Sequence, residues 1–159
     1  MAESRFVYVT YIRTTPQKLW QALSDPEFTR RFWVETWQES EWKPGAPWRM
    51  MCPDGRVHST GEVIESVPGK RLVLSWFCHL FPEIRPEGHS RVTYELEKVG
   101  DAVKLTFMQE NDTPDSKTVG MASQGWPLIL ASLKSLLETG EPLEATRHFP
   151  KGQQSAAAR

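Results

Sequence analysis

A chain of 159 residues with a net charge of -1 has no basic surplus for nucleic acid or an anionic membrane, and no apolar run reaches the roughly 20 residues that span a bilayer. Its 39% hydrophobic and 25% charged residues are ordinary for one soluble globular domain, which at this length buries about 70% of its unfolded surface. Two cysteines, Cys52 and Cys78, make no disulfide framework and match no zinc spacing, and the N-terminus shows no secretory h-region, so reduced thiols and a cytosolic location are expected.

Phe6 to Thr14 is a run of aromatic and β-branched residues and predicts the first strand. Thr15-Pro16 predicts a helix start, because Thr caps an N-terminus and Pro fits the first helical position. Leu19, Trp20 and Leu23 make its buried stripe. Ser24-Asp25-Pro26 ends it and opens a second short helix through Phe28, Arg31 and Phe32. Trp37 to Met51 reads as two strands about a type II turn at Lys43-Pro44-Gly45. Pro53-Asp54-Gly55 turns into a strand from Val57 to Val67, and Pro68-Gly69-Lys70 into one from Arg71 to Phe77. Cys78 to Gly88 contains Pro82, Pro86 and Gly88 and reads as a loop. Arg91 to Lys98 and Val103 to Glu110 alternate cleanly about a turn at Val99-Gly100-Asp101.

A polar stretch, Asn111 to Lys117, then leads into a helix from about Thr118 to Leu137, roughly 30 Å long. Trp126, Ile129, Leu130, Leu133, Leu136 and Leu137 recur at three- and four-residue steps and share one wide face. A long apolar helix after six strands in a meander needs a curved sheet to lie in. A sheet gripping a helix leaves room for a cavity between them. We expect one domain over residues 1–143 and a disordered tail over 144–159, polar and ending in Lys151 to Arg159.

Several phrases in this order resemble one family. They are Thr15-Pro16-Gln17-Lys18-Leu19-Trp20-Gln21-Ala22-Leu23-Ser24-Asp25-Pro26, Arg31-Phe32-Trp33, Gly61-Glu62-Val63 with Pro68 and Arg71-Leu72, and Gly125-Trp126-Pro127 with Leu133-Lys134 and Leu137-Glu138-Thr139-Gly140. The chain is similar, from about Phe6 to Leu143, to the activator of heat-shock protein 90 ATPase-like family. That family belongs to the START-like, birch-pollen-allergen-like superfamily. The resemblance implies an α+β helix-grip fold: a seven-stranded curved antiparallel sheet around a long C-terminal helix, with two short helices after the first strand. Relatives in the superfamily bind lipids, hormones or polyketides, and some cyclise or hydrate them. The eukaryotic chaperone activators carry a further N-terminal chaperone-binding domain. This chain begins directly at the first strand, so chaperone contact is not expected.

Strand alternation selects the side chains that face the helix. They are Leu72, Leu74 and Trp76; Val92, Tyr94 and Leu96; Val103, Leu105, Phe107 and Gln109; and, from the hairpin, Trp48 and Met50. The helix adds Trp126, Ile129, Leu130 and Leu133. The resemblance places Trp33 near the cavity mouth. Seven tryptophans in all suggest an aromatic lining as well as an aromatic core. The expected ligand-binding set is Trp33, Trp48, Met50, Trp76, His79, Tyr94, Leu105, Phe107, Gln109, Trp126, Ile129, Leu130 and Leu133.

Acid–base candidates are His58, His79, His89, His148, Glu62, Glu110 and Gln109. His79 ends a strand beside the expected mouth. His89 abuts a loop glycine and His148 nears the tail, so both should be solvated. Close relatives often carry histidine where Gln109 stands, and glutamine takes no proton at neutral pH. No nucleophile elbow, phosphate loop, dinucleotide fingerprint or metal-ligand spacing occurs, so no catalytic residue, metal or cofactor is expected. The leading expectation is a cytosolic binding protein for a small hydrophobic or aromatic molecule, with a homodimer compatible with the sequence. The alternatives are a cyclase or hydratase using His79 or Glu62 in the same cavity, and a chaperone-activator-like interaction module.

Overall fold

Alternation of side chains builds the first strand, β1 (Ser4–Ile12): Phe6, Tyr8 and Ile12 turn toward the core while Val7, Val9 and Tyr11 stay exposed. The computed structural model describes residues 2–150. Thr15 caps α1 (Pro16–Ser24), its side chain accepting from the Lys18 N–H. Asp25 then closes α1 and caps α2 (Pro26–Phe32), accepting from the Glu27 N–H. One Asp-Pro corner therefore ends one helix and begins the next, because proline cannot continue the first and suits the start of the second.

Six further strands follow: β2 (Trp37–Ser40), β3 (Pro47–Met51), β4 (Val57–Val67), β5 (Arg71–Cys78), β6 (Ser90–Val99) and β7 (Ala102–Asn111). They form one antiparallel sheet of seven strands, ordered β1-β7-β6-β5-β4-β3-β2. The turn before β3 is type II: Ala46 donates to the Lys43 carbonyl at 2.9 Å, with Gly45 at φ +87°. The sheet wraps α3 (Lys117–Thr139), a helix of 23 residues whose Trp126, Leu130, Leu133 and Leu136 are buried. This is the α+β helix grip that the sequence implies.

Most element ends shift from expectation by a residue or two, and three differences matter for packing. β1 ends at Ile12 instead of Thr14, because the chain leaves the sheet for α1 and the Arg13 N–H goes to the Glu138 carboxylate at 2.8 Å. The segment expected as a loop contains a 3-10 helix, Pro82–Glu87, anchored by buried Phe81 and Ile84. The chain after Leu143 is also more ordered than a tail. Glu144–Thr146 is a 3-10 turn, and buried Thr146 shares a 2.5 Å hydrogen bond with Ser132 of α3. Serine on that helix turn leaves both the space and the polar partner that let Thr146 dock. The remainder of the expected tail, residues 151–159, lies outside the described residues.

The Pro82–Glu87 3-10 helix also fixes the start of α3. The Glu87 carboxylate accepts from the Ser116 hydroxyl (2.7 Å), the Lys117 N–H (2.8 Å), the Thr118 N–H (2.9 Å) and the Thr118 hydroxyl. It thus satisfies N–H groups that a helix start leaves open, and adds a negative charge where the helix dipole favours one. Partial burial alone would raise the Glu87 pKa, but hydrogen bonds from Ser116, Thr118 and Lys117 outweigh it and hold it at about 2. Because the folded value lies below the ordinary 4.5, the unfolded chain takes up the proton first. The stabilisation is therefore complete above that ordinary value and is lost as pH falls toward about 2. Glu87→Ala is expected to lower stability by about 2 kcal/mol at neutral pH. The gap from the natural protein should close between about pH 6 and about pH 2.5 in urea titrations. A gap that stays constant with pH would contradict this role.

Candidate ligand-binding site

Three indoles meet beneath the N-terminal half of α3. Trp33 follows α2, Trp76 belongs to the inward row of β5, and Trp126 comes from the helix. Trp33 and Trp126 lie edge-on at 4.8 Å between ring centroids, Trp76 and Trp126 at 5.6 Å, and Trp33 and Trp76 are stacked at 6.0 Å. They form one wall of a cavity of about 270 Å³. Phe81 and Ile84, with Met121, Ala122, Gly125, Leu128 and Ile129 of α3, also line it, and it is partly open to solvent. Ala145, Thr146, Phe149 and Pro150, from the segment after Leu143, line it as well.

That segment is held by the turn after α2. Val34 donates to the Thr146 carbonyl at 2.9 Å, and the Phe149 N–H donates to the Glu35 carboxylate at 2.9 Å. Val34 and Glu35 stand at φ +43° and +64°, a conformation that non-glycine residues rarely adopt and that a β-branched residue adopts with strain. This turn sets Trp33 and Val34 at the cavity.

The polar points are few. Gln109 of β7 is buried, and its carbonyl oxygen accepts from the Trp126 indole N–H at 3.0 Å. Cys78 and Thr118 also line it. His58 lines the cavity because of a β-bulge: Met50 pairs with Ser59 and Met51 with Val57, leaving His58 as the extra residue. A bulge re-aims a side chain that strict alternation would send to the other face. His58 Nδ1 meets the Ser59 hydroxyl at 2.8 Å. Burial, then the nearby Arg56 and His79, lower its pKa to about 4, so the ring is neutral at pH 7. Burial pushes the Cys52 thiol up to about 11 and raises Cys78 as well, so neither is a ready thiolate.

Of the residues selected from the sequence, Trp33, Trp76, Gln109, Trp126 and Ile129 line the cavity. Trp48, Met50, Tyr94, Leu105, Phe107, Leu130 and Leu133 belong to the packed core beside it. Trp48 supports the wall from behind: its ring lies 4.4 Å from that of Trp76, and its N–H donates to the Ser75 carbonyl at 2.8 Å. His79 is not part of the lining. It bonds to the Thr60 hydroxyl at 2.7 Å and lies edge-on to Phe77 at 4.9 Å, one residue beyond the inward-facing Cys78. Glu62 is exposed. Phe81, Ile84 and the segment after Leu143 are not in the expected lining set, and His58 figures among the expectations only as an acid–base candidate. Apolar Phe81 and Ile84 among prolines offered a usable signal; the bulge at His58 offered none.

The architecture is shared with solved structures. A protein from Mesorhizobium loti, MLL2253, is 26% identical, with a TM-score of 0.71 over 84% of this chain and 96% of that one. The Aha1 protein from Colwellia psychrerythraea, described as a dimer, is 19% identical, with a TM-score of 0.69 over 86% and 98%. CalU16 from Micromonospora echinospora is 17% identical, with a TM-score of 0.68 over 89% and 78%. No curated protein matches the chain significantly. Among the described residues, no helix is long and apolar enough to cross a membrane. The sequence model for activator of Hsp90 ATPase homolog 1-like proteins matches residues 13–138, which span α1 through nearly the whole of α3, and the chain belongs to that family.

Proposed function

We propose that this protein is a cytosolic binder of one small hydrophobic or aromatic molecule, held between α3 and the sheet without chemical change. The observation that carries the reading is the cavity itself: three indoles and few polar atoms around about 270 Å³. At an interior packing density of about 0.74, that space holds on the order of a dozen non-hydrogen atoms. At roughly 0.5 kcal/mol per atom, such a ligand reaches about 6 kcal/mol, which is tens of micromolar. A cyclase or hydratase would need an acid or base in the cavity. Glu62 is exposed, His79 is bonded to Thr60, and His58 is a weak base with its pKa near 4. These features favour binding over turnover.

Native mass spectrometry of the purified protein, followed by organic extraction, tests the reading directly. A stoichiometric hydrophobic adduct is the expected result. A clean apo mass, together with no change in tryptophan fluorescence against a panel of bicyclic aromatics, would refute it.

Gly125 separates loss of binding from loss of fold. It lies on α3 at the cavity, and a Cβ built there meets nothing within 4 Å. Gly125→Ala is expected to stabilise the helix by about 0.5–1 kcal/mol. Gly125→Leu should fill the space, leave the thermal midpoint near that of the natural protein, and weaken binding of the extracted ligand at least tenfold. Full affinity in a folded Gly125→Leu protein would place the ligand elsewhere.

A further inference from the structure

The charges around the cavity are arranged to keep charge out of it. Among the described residues, no Lys, Arg, Asp or Glu lines it. An exposed helix N-terminus is ordinarily an attraction for anions, and α3 begins beside the cavity at Thr118. Here that attraction is already satisfied within the chain. The Lys117 and Thr118 N–H groups donate to Glu87, and the Val119 N–H donates to the Ser116 hydroxyl. The Glu87 carboxylate therefore repels a second anion from this end. It also offers little to a cation, since it already accepts from two hydroxyls and two backbone N–H groups.

The remaining polar capacity is neutral. Gln109 has used its carbonyl oxygen on Trp126, which leaves its amide N–H groups as donors at the cavity. His58 has engaged Nδ1 with Ser59, which leaves Nε2. The Thr118 hydroxyl donates to Glu87.

Resting on the binding reading above, we infer that the site selects an uncharged, flat molecule carrying one hydrogen-bond acceptor, such as an aromatic ketone. The acceptor meets Gln109, and the ring lies against Trp33, Trp76 and Trp126. A carboxylate or ammonium of the same shape enters without a counter-charge and loses part of its hydration.

Three probes of nearly equal size test this by calorimetry at neutral pH: 2-acetylnaphthalene, 2-naphthoate and trimethyl(2-naphthyl)ammonium. The neutral ketone is expected to bind about 100-fold more tightly than either ion. Met121→Lys, a partly exposed change at the cavity wall, should raise naphthoate affinity at least tenfold by supplying the missing charge. Equal binding of ketone and naphthoate, or tighter binding of the ammonium over the indoles, would overturn the neutral preference while leaving the pocket in place. Failure of all three probes, with no adduct in native mass spectra, would overturn the binding reading and this inference with it.

Discussion

Gly61→Ala is expected to lower the stability of this protein by about 3–5 kcal/mol, more than any other change of a single methyl group in the sheet. Gly61 of β4 lies opposite Trp48 of β3. A Cβ at position 61 would fall on the Ser75 carbonyl oxygen and lie 2.6 Å from the Trp48 indole nitrogen. Those two atoms are hydrogen-bonded to each other at 2.8 Å. The methyl group therefore has no soft neighbour to displace. Either the Trp48–Ser75 bond breaks, orphaning a buried N–H, or β4 moves away from β5. The pairing here is already opened: Thr60 faces Phe77, the next pair is Val63 with Leu74, and the Glu62 N–H goes to the Ser75 hydroxyl instead. Equilibrium unfolding in urea measures the loss, and a difference below about 1 kcal/mol would show that the strands accommodate the methyl. Because Trp48 is one of the two obstacles, Trp48→Ala should mask part of the penalty, and the double mutant should be less unstable than the sum of the singles.

Trp126→Ala is expected to remove about 3–5 kcal/mol of stability and to abolish ligand binding together. The Trp126 ring lies 4.0 Å from Phe107, 4.8 Å from Trp33, 5.6 Å from Trp76 and 6.1 Å from Tyr94, so it joins helix, sheet and the turn after α2. Truncation leaves a void among four rings and an unpaired Gln109 oxygen. Trp126→Phe keeps most of the apolar contact and loses the hydrogen bond, so a smaller loss of about 1–2 kcal/mol is expected. Gln109→Leu in the Trp126→Phe background should recover part of it, since both partners are then apolar. Denaturation and ligand titration on the same samples resolve the two effects. If Trp126→Ala unfolds within about 1 kcal/mol of the natural protein, the helix is gripped elsewhere.

Much of the fold was legible because its signals are local. The period-two rows Val92-Tyr94-Leu96 and Val103-Leu105-Phe107-Gln109 are buried as read, and they pair across β6 and β7 as Val92 with Gln109, Tyr94 with Phe107 and Leu96 with Leu105. Capping chemistry at Thr15-Pro16 and Asp25-Pro26 placed two helix starts, because each rests on the residue's own φ preference and hydrogen-bonding reach. The Pro-Gly turn at Gly45 has the positive φ that only such a residue adopts freely.

The candidate site was legible only as a set of inward-facing residues. Periodicity says which face a side chain takes; it does not say whether that face meets packing or empty space. Tyr94, Phe107, Leu130 and Leu133 point inward as Trp76 and Trp126 do, yet the first four are packed on all sides while the last two, part of the same core, also line the cavity. The difference is the placement of α3: its lining residues run from Thr118 to Ile129, while Leu130, Leu133 and Leu136 pack. His79 looked suitable by its position at a strand end, but alternation from Cys78 carries it out of the cavity.

By itself, then, the sequence determined the strands and α-helices, their order, the main buried face of each and the family, since these follow from local propensity, side-chain period and phrases along the chain. Only the tertiary structure decided where the sheet stands away from the helix, that a bulge brings His58 to the cavity, and that residues beyond Leu143 line it. Each of those depends on contacts between segments far apart in sequence, whose geometry no local pattern encodes.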